Sequence, residues 1–108
     1  MTAVQGDLLL DVALQKAEAH ADATWLRAAR QVVWDLIKAD EPFTTDDCWA
    51  KLDALGVVTH EPRALGAVIR AAAKAGYIQT TGYRKTTRPE AHSRPIPVWL
   101  PTRKANAA

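Results

Sequence analysis

Four bases, Arg84, Lys85, Arg88 and Arg94, fall within an eleven-residue stretch that also holds Thr86, Thr87, His92 and Ser93. Guanidinium, ammonium and hydroxyl groups in a polar, Pro-containing segment are the donors that suit phosphate oxygens and a minor groove. A second basic set lies upstream. Arg63, Ala67, Arg70 and Lys74 are spaced by four, three and four residues, so on a helix they share one face. Alanines and Gly66 flank those bases, which leaves little bulk between them and a major groove whose guanine edges or phosphates they would reach. Arg63 and Arg70 are the base-edge candidates and Lys74 the phosphate candidate. His92 reads as a hydrogen-bond donor, and Thr86 and Thr87 as neutral phosphate donors.

The charge distribution points the same way. Residues 1–58 carry ten acids and five bases, a net −5, whereas residues 59–108 carry two acids and nine bases, a net +7. A polyanion would be drawn to the second half. Two plainer readings compete: a solvated basic surface, and a helix whose Gly66 and alanines pack closely against a neighbouring helix.

Other chemistries lack their residues. His20, His60 and His92 are scattered, and HExxH, CxxC, a phosphate-binding glycine loop and a nucleophile elbow are all missing. The chain is therefore expected to be no enzyme, to use no cofactor or metal and to take no small-molecule substrate. Asp46 and Asp47 read as helix-terminal acids that complement the helix dipole rather than as a catalytic pair. Cys48, the one cysteine, reads as a small core residue.

The elements that would position these groups are four helices followed by two strands. A first helix is expected over 7–19, with Leu8, Leu9, Val12 and Ala13 near one face. A second starts after Asp22 as its N-cap and carries Trp25, Ala29, Val32, Val33, Leu36 and Ile37 at three- and four-residue spacing until Pro42 stops it. Thr44 and Asp47 form a capping-box signature for a third helix that ends at Gly56 and turns Cys48, Trp49, Leu52 and Leu55 inward. Pro62 opens a fourth helix that runs to Gly76, with Leu65, Val68, Ile69 and Ala72 buried. Strands over 77–83 and 96–100 then flank a loop over 84–95, and Ile78, Val98 and Trp99 anchor this hairpin. Residues 102–108 are expected to be a disordered tail.

With 108 residues, 48% of them hydrophobic and 24% charged, the chain has room for one globular domain. No apolar run approaches the roughly 18 residues of a membrane span, and no secretory signal is visible at the start, so the expectation is a cytoplasmic protein. The class is mainly α with a small β-hairpin, α+β.

Helix, helix, turn, helix and a two-stranded wing over about 23–101 resemble the winged helix-turn-helix superfamily, with residues 1–22 as a helical extension. The run Glu-Pro-Arg-Ala-Leu-Gly-Ala-Val at 61–68, Ala-Gly-Tyr-Ile at 75–78, Gly82, Arg88-Pro89, His92 and Pro97-Val98-Trp99 are similar to small winged-helix proteins encoded by phages and prophages of actinobacteria. The resemblance implies double-stranded DNA as partner, bound by the fourth helix and the wing in transcription regulation or another DNA transaction. A homodimer through the first helix would extend the sequence read. The alternative it leaves open is a winged-helix module that docks on a host protein.

Overall fold

The computed structural model describes residues 3–88 and 94–107, with the backbone alone for residues 3–19 and 21. Among the described residues it is an α+β fold of four helices and one antiparallel hairpin: α1 (Ala3–Lys38), α2 (Thr45–Leu55), α3 (Ala64–Lys74), β1 (Ile78–Lys85), β2 (Pro95–Pro101) and α4 (Arg103–Ala107). None of these helices is long and apolar enough to cross a membrane.

The two expected amino-terminal helices are one. Nothing between Ala19 and Ala23 breaks a helix, and Asp22 is no N-cap, because its carboxylate is engaged by Thr59 and His60 from the α2–α3 connector. A short polar side chain that finds donors elsewhere does not compete for its own backbone. The carboxyl end of α1 comes at Lys38, before Pro42, and Asp40 follows in a left-handed conformation at φ 59°. The dimer surface expected of residues 1–22 rests on Leu8, Leu9, Val12 and Ala13, whose side chains lie outside those described.

The core forms where α1, α2, α3 and the root of the hairpin meet. Trp25, Ala29, Val32, Val33 and Ile37 of α1 pack with Phe43, Cys48, Leu52, Leu65, Ile69 and Ile78, all buried. Cys48 is fully enclosed; burial, reinforced by the charge of Asp47, pushes its thiol up to about 12. The capping box at the start of α2 is present, with the Thr44 amide donating to Asp47 Oδ2 at 2.8 Å. Gly56 ends α2 in the left-handed region at φ 73°, where an L side chain is strained. Leu55 departs from its expected inward position and is 61% exposed.

The hairpin is longer than its sequence pattern suggests. Arg84 pairs with Ile96 and Lys85 with Pro95, so both bases belong to a strand instead of a loop. The register slips between Thr80 and Gly82, leaving Thr81 as the extra residue of a bulge next to Gly82 at φ 156°. Phe43 forms a single bridge to Trp99, with hydrogen bonds in both directions at 2.9 and 2.8 Å, and ties the hairpin root to the α1–α2 connector.

Residues 102–107 of the segment expected to be a disordered tail are instead folded. Thr102 donates its amide to Tyr77 and its hydroxyl to the Gly76 carbonyl, and α4 then buries Ala105 completely. Lys104 donates to the Ala75 carbonyl at the end of α3 and sits 5.2 Å from the Tyr77 ring centre; Lys38 of α1 donates to the Ala105 carbonyl. Five residues with little apolar content give no periodic signal, because what orders them is capping of the α3 end and a lysine donated from α1. Removing residues 102–108 is expected to cost about 2–3 kcal/mol, the loss of a few hydrogen bonds and a buried methyl group, read as a lower urea midpoint. An unchanged midpoint would mean that the latch contributes nothing.

Candidate nucleic-acid interface

α3 positions the first basic set. Its buried side is fixed by Leu65 and Ile69, with Val68 and Ala72 half-buried beside them. At about 100° per residue, Arg63, Arg70 and Lys74 then project within an arc of roughly 40°, on the side opposite the core. All three are exposed, as is Ala67 beside them, and none meets an acidic partner among the described residues. Gly66 does not serve close helix packing: the nearest side-chain atoms that a methyl group there would meet belong to the Arg70 guanidinium of its own helix, with Nη1 at 3.1 Å. The bare glycine leaves the track along which Arg70 lies back against the helix.

The entry into α3 is held from α1. Asp22 accepts the Thr59 hydroxyl at 3.1 Å and the His60 amide at 2.9 Å, with the His60 ring at 3.7 Å. The His60 amide, ahead of the opposing loss of hydration and with help from the Thr59 hydroxyl, holds the Asp22 carboxyl below its ordinary value. That anchor lies three residues before Arg63, so it orients the start of the basic arc.

The hairpin divides its expected site residues. Arg84 and Lys85 on β1 and Arg94 before β2 are exposed. Thr86 is not available: it is buried, and its hydroxyl donates to both carboxylate oxygens of Asp46 at 2.8 and 3.0 Å. Thr87 gives the same carboxylate its amide at 2.8 Å and its hydroxyl at 3.2 Å. Arg88 lies 4.8 Å over the Trp49 ring with a guanidinium nitrogen 3.7 Å from Asp53. Thr86, Thr87 and Arg88 therefore clasp the hairpin to α2 rather than facing a ligand. His92 lies outside the described residues.

Asp46 is the residue whose role the sequence conceals. Asp47 does the capping, and Asp46 reaches across to a hairpin forty residues away. Partial burial pushes its carboxyl up, but the Thr87 amide, the Thr86 and Thr87 hydroxyls and the Arg88 charge together hold it below its ordinary value. Tyr83, 70% exposed beside Arg84, was equally unmarked; its cross-strand partner Pro97 does not cover it. An aromatic next to two bases on an exposed strand is the signal that would have found it.

The two basic sets meet at an open cleft of about 580 Å³ bounded by α2, the α2–α3 connector and the hairpin. Arg63 at the N-cap of α3, and Arg88 and Arg94 beyond the paired ends of the hairpin strands, share its wall with Trp49, Asp46 and Asp53. The cleft can admit an anion beside Arg63 and Arg94, while the two carboxylates restrict the approach on the α2 side. Among the described residues no group of three His, Cys, Asp or Glu side chains could hold a metal ion. No family model matches the chain, and neither a curated protein nor a solved structure does.

Proposed function

We propose that this chain is a winged helix-turn-helix module that binds duplex DNA without catalysing a reaction, in transcription regulation or another DNA transaction. α3 enters the major groove with Arg63 and Arg70 toward base edges and Lys74 toward a phosphate. The hairpin follows the neighbouring backbone with Arg84, Lys85 and Arg94, and Tyr83 lies against the sugar edge of the minor groove. The observation that carries this reading is the arc of three exposed cations on α3, none of them met by an acid among the described residues. Helix order supports it too: α2, a tight connector pinned by Asp22, α3, then a hairpin.

Binding of a mixed-sequence duplex, followed by fluorescence anisotropy between 50 and 200 mM salt, tests it. With Arg88 engaged by Asp53 and Trp49, about four phosphates are neutralised by Lys74, Arg84, Lys85 and Arg94. The log-log slope is then about −4, a loss of roughly two hundredfold in affinity across that range. A flat dependence, or no binding at 50 mM salt, overturns the DNA reading.

A further inference from the structure

A mainly apolar groove runs between α1 and α3. It encloses about 400 Å³ and is walled by Leu26, Val33 and Trp34 of α1, Val68 and Ala71 of α3, and Tyr77, with Arg30 on its rim. Trp34 and Tyr77 close one end in an edge-to-face pair at 5.4 Å. On α3 the flank facing it, Ala64, Ala67 and Ala71, begins where the basic arc stops, so the groove and the arc are neighbours that do not overlap beyond Ala67.

We propose that this groove is a self-association site, filled by the amino-terminal half of α1 from a second copy of the chain. Three observations select that occupant. The helix that lines the groove continues back to Ala3, at 1.5 Å per residue about 33 Å beyond Trp25. That half is collinear with the helix that forms the groove wall, so it cannot fold back into its own groove without breaking α1. In sequence it carries Leu8, Leu9, Val12 and Ala13 at helical spacing together with Asp7, Asp11 and Glu18 against the single base Lys16, an apolar and acidic complement to an apolar groove rimmed by Arg30 and adjoined by the α3 cations.

A twofold arrangement satisfies both copies at once. Each amino-terminal half enters the other's groove, and the two contacts are identical, as an isologous interface requires. The basic arcs stay outside the contact, so two recognition helices are presented by one particle.

Sedimentation equilibrium of the full chain without DNA, at 10 to 100 μM and physiological salt, reads the association directly. The expected particle has twice the 11.8 kDa chain mass. Ala71→Arg fills the groove from an exposed position and should weaken the dimer at least tenfold, while Ala54→Arg on the exposed face of α2 leaves it unchanged. Circular dichroism of both variants checks that each is folded. Mixing Ala71→Cys chains with Ala13→Cys chains and adding a short bifunctional maleimide should cross-link one to the other, with the buried Cys48 silent. A monomer at every concentration, a dimer indifferent to Ala71→Arg, or no mixed cross-link each overturns the proposal. Since no nucleic acid is present, these outcomes are separate from failure of the DNA reading.

Discussion

Asp46→Ala is expected to release the hairpin from α2 and to lower stability by about 2–3 kcal/mol, roughly 10–20 °C in Tm for a domain of this size. One carboxylate receives the Thr86 hydroxyl, the Thr87 amide and the Thr87 hydroxyl, and Thr86 is buried. Removing the acceptor leaves that hydroxyl unsatisfied, and the cost of an unmet buried donor exceeds the net gain of the bond. Asp46→Asn keeps a carbonyl acceptor and should recover about half of the loss. The pH dependence separates charge from geometry. Because the folded state holds this carboxyl below its ordinary 3.8, the stabilisation is fully present above that pH and disappears as pH falls through the folded value. Wild-type Tm should therefore drop steeply below about pH 4, and Asp46→Asn should drop less. Asp22, also held low, contributes a parallel loss that Asp22→Asn removes. Equal slopes for the wild type and Asp46→Asn would show that the clasp does not depend on the carboxylate. Hydrogen exchange at the Thr87 amide gives a local readout, since its protection should vanish in Asp46→Ala.

Features written in neighbouring residues were legible in the sequence. The Thr44–Asp47 capping box, the Gly56 stop, and the Leu65 and Ile69 period each involve groups within one or two helical turns. Features made across the fold were not. The continuity of α1 depends on Asp22 finding donors in a connector that lies nearly forty residues later. The order of α4 depends on the Ala75 and Gly76 carbonyls at the end of α3 and on the Lys38 ammonium of α1, which donates to the Ala105 carbonyl. Neither leaves a periodic trace. The basic set on α3 could be read from spacing, because one helix fixes its own angular pattern. The hairpin set could not, because composition does not distinguish a threonine that points outward from one that donates to Asp46.

The charge asymmetry takes on a second meaning once these contacts are known. The acidic half is not a passive counterweight to the basic half. Asp22, Asp46 and Asp53 each reach from α1 or α2 to the carboxy-terminal half, at His60, Thr86 and Arg88 respectively. They fix the connector and the hairpin base in position and draw Arg88 out of the exposed set. The acids set the geometry in which Arg63, Arg70, Lys74, Arg84, Lys85 and Arg94 are displayed.

Reversing charge on α3 has the larger functional consequence. Arg63→Glu/Arg70→Glu is expected to weaken duplex binding at least a hundredfold, since each lost base-edge contact is worth about 1–3 kcal/mol and each new carboxylate repels the phosphates. The fold should not change. Both side chains are exposed, Glu is a good helix former, and a carboxylate at position 63 favours the helix amino terminus, so Tm should stay within about 2–4 °C. Arg84→Ala/Lys85→Ala should behave differently: affinity falls by a similar factor on every duplex tested, and the salt slope becomes shallower by about two units. The α3 pair, if it reads base edges, should erase the preference among duplexes selected from a random pool, whereas the hairpin pair should preserve that preference at lower affinity. Were the α3 pair instead to weaken all sequences equally and flatten the slope, Arg63 and Arg70 would be phosphate contacts and α3 would lie across the backbone instead of in the groove. Were both pairs without effect on a duplex that the wild type binds, the interface would lie on another face of the molecule altogether.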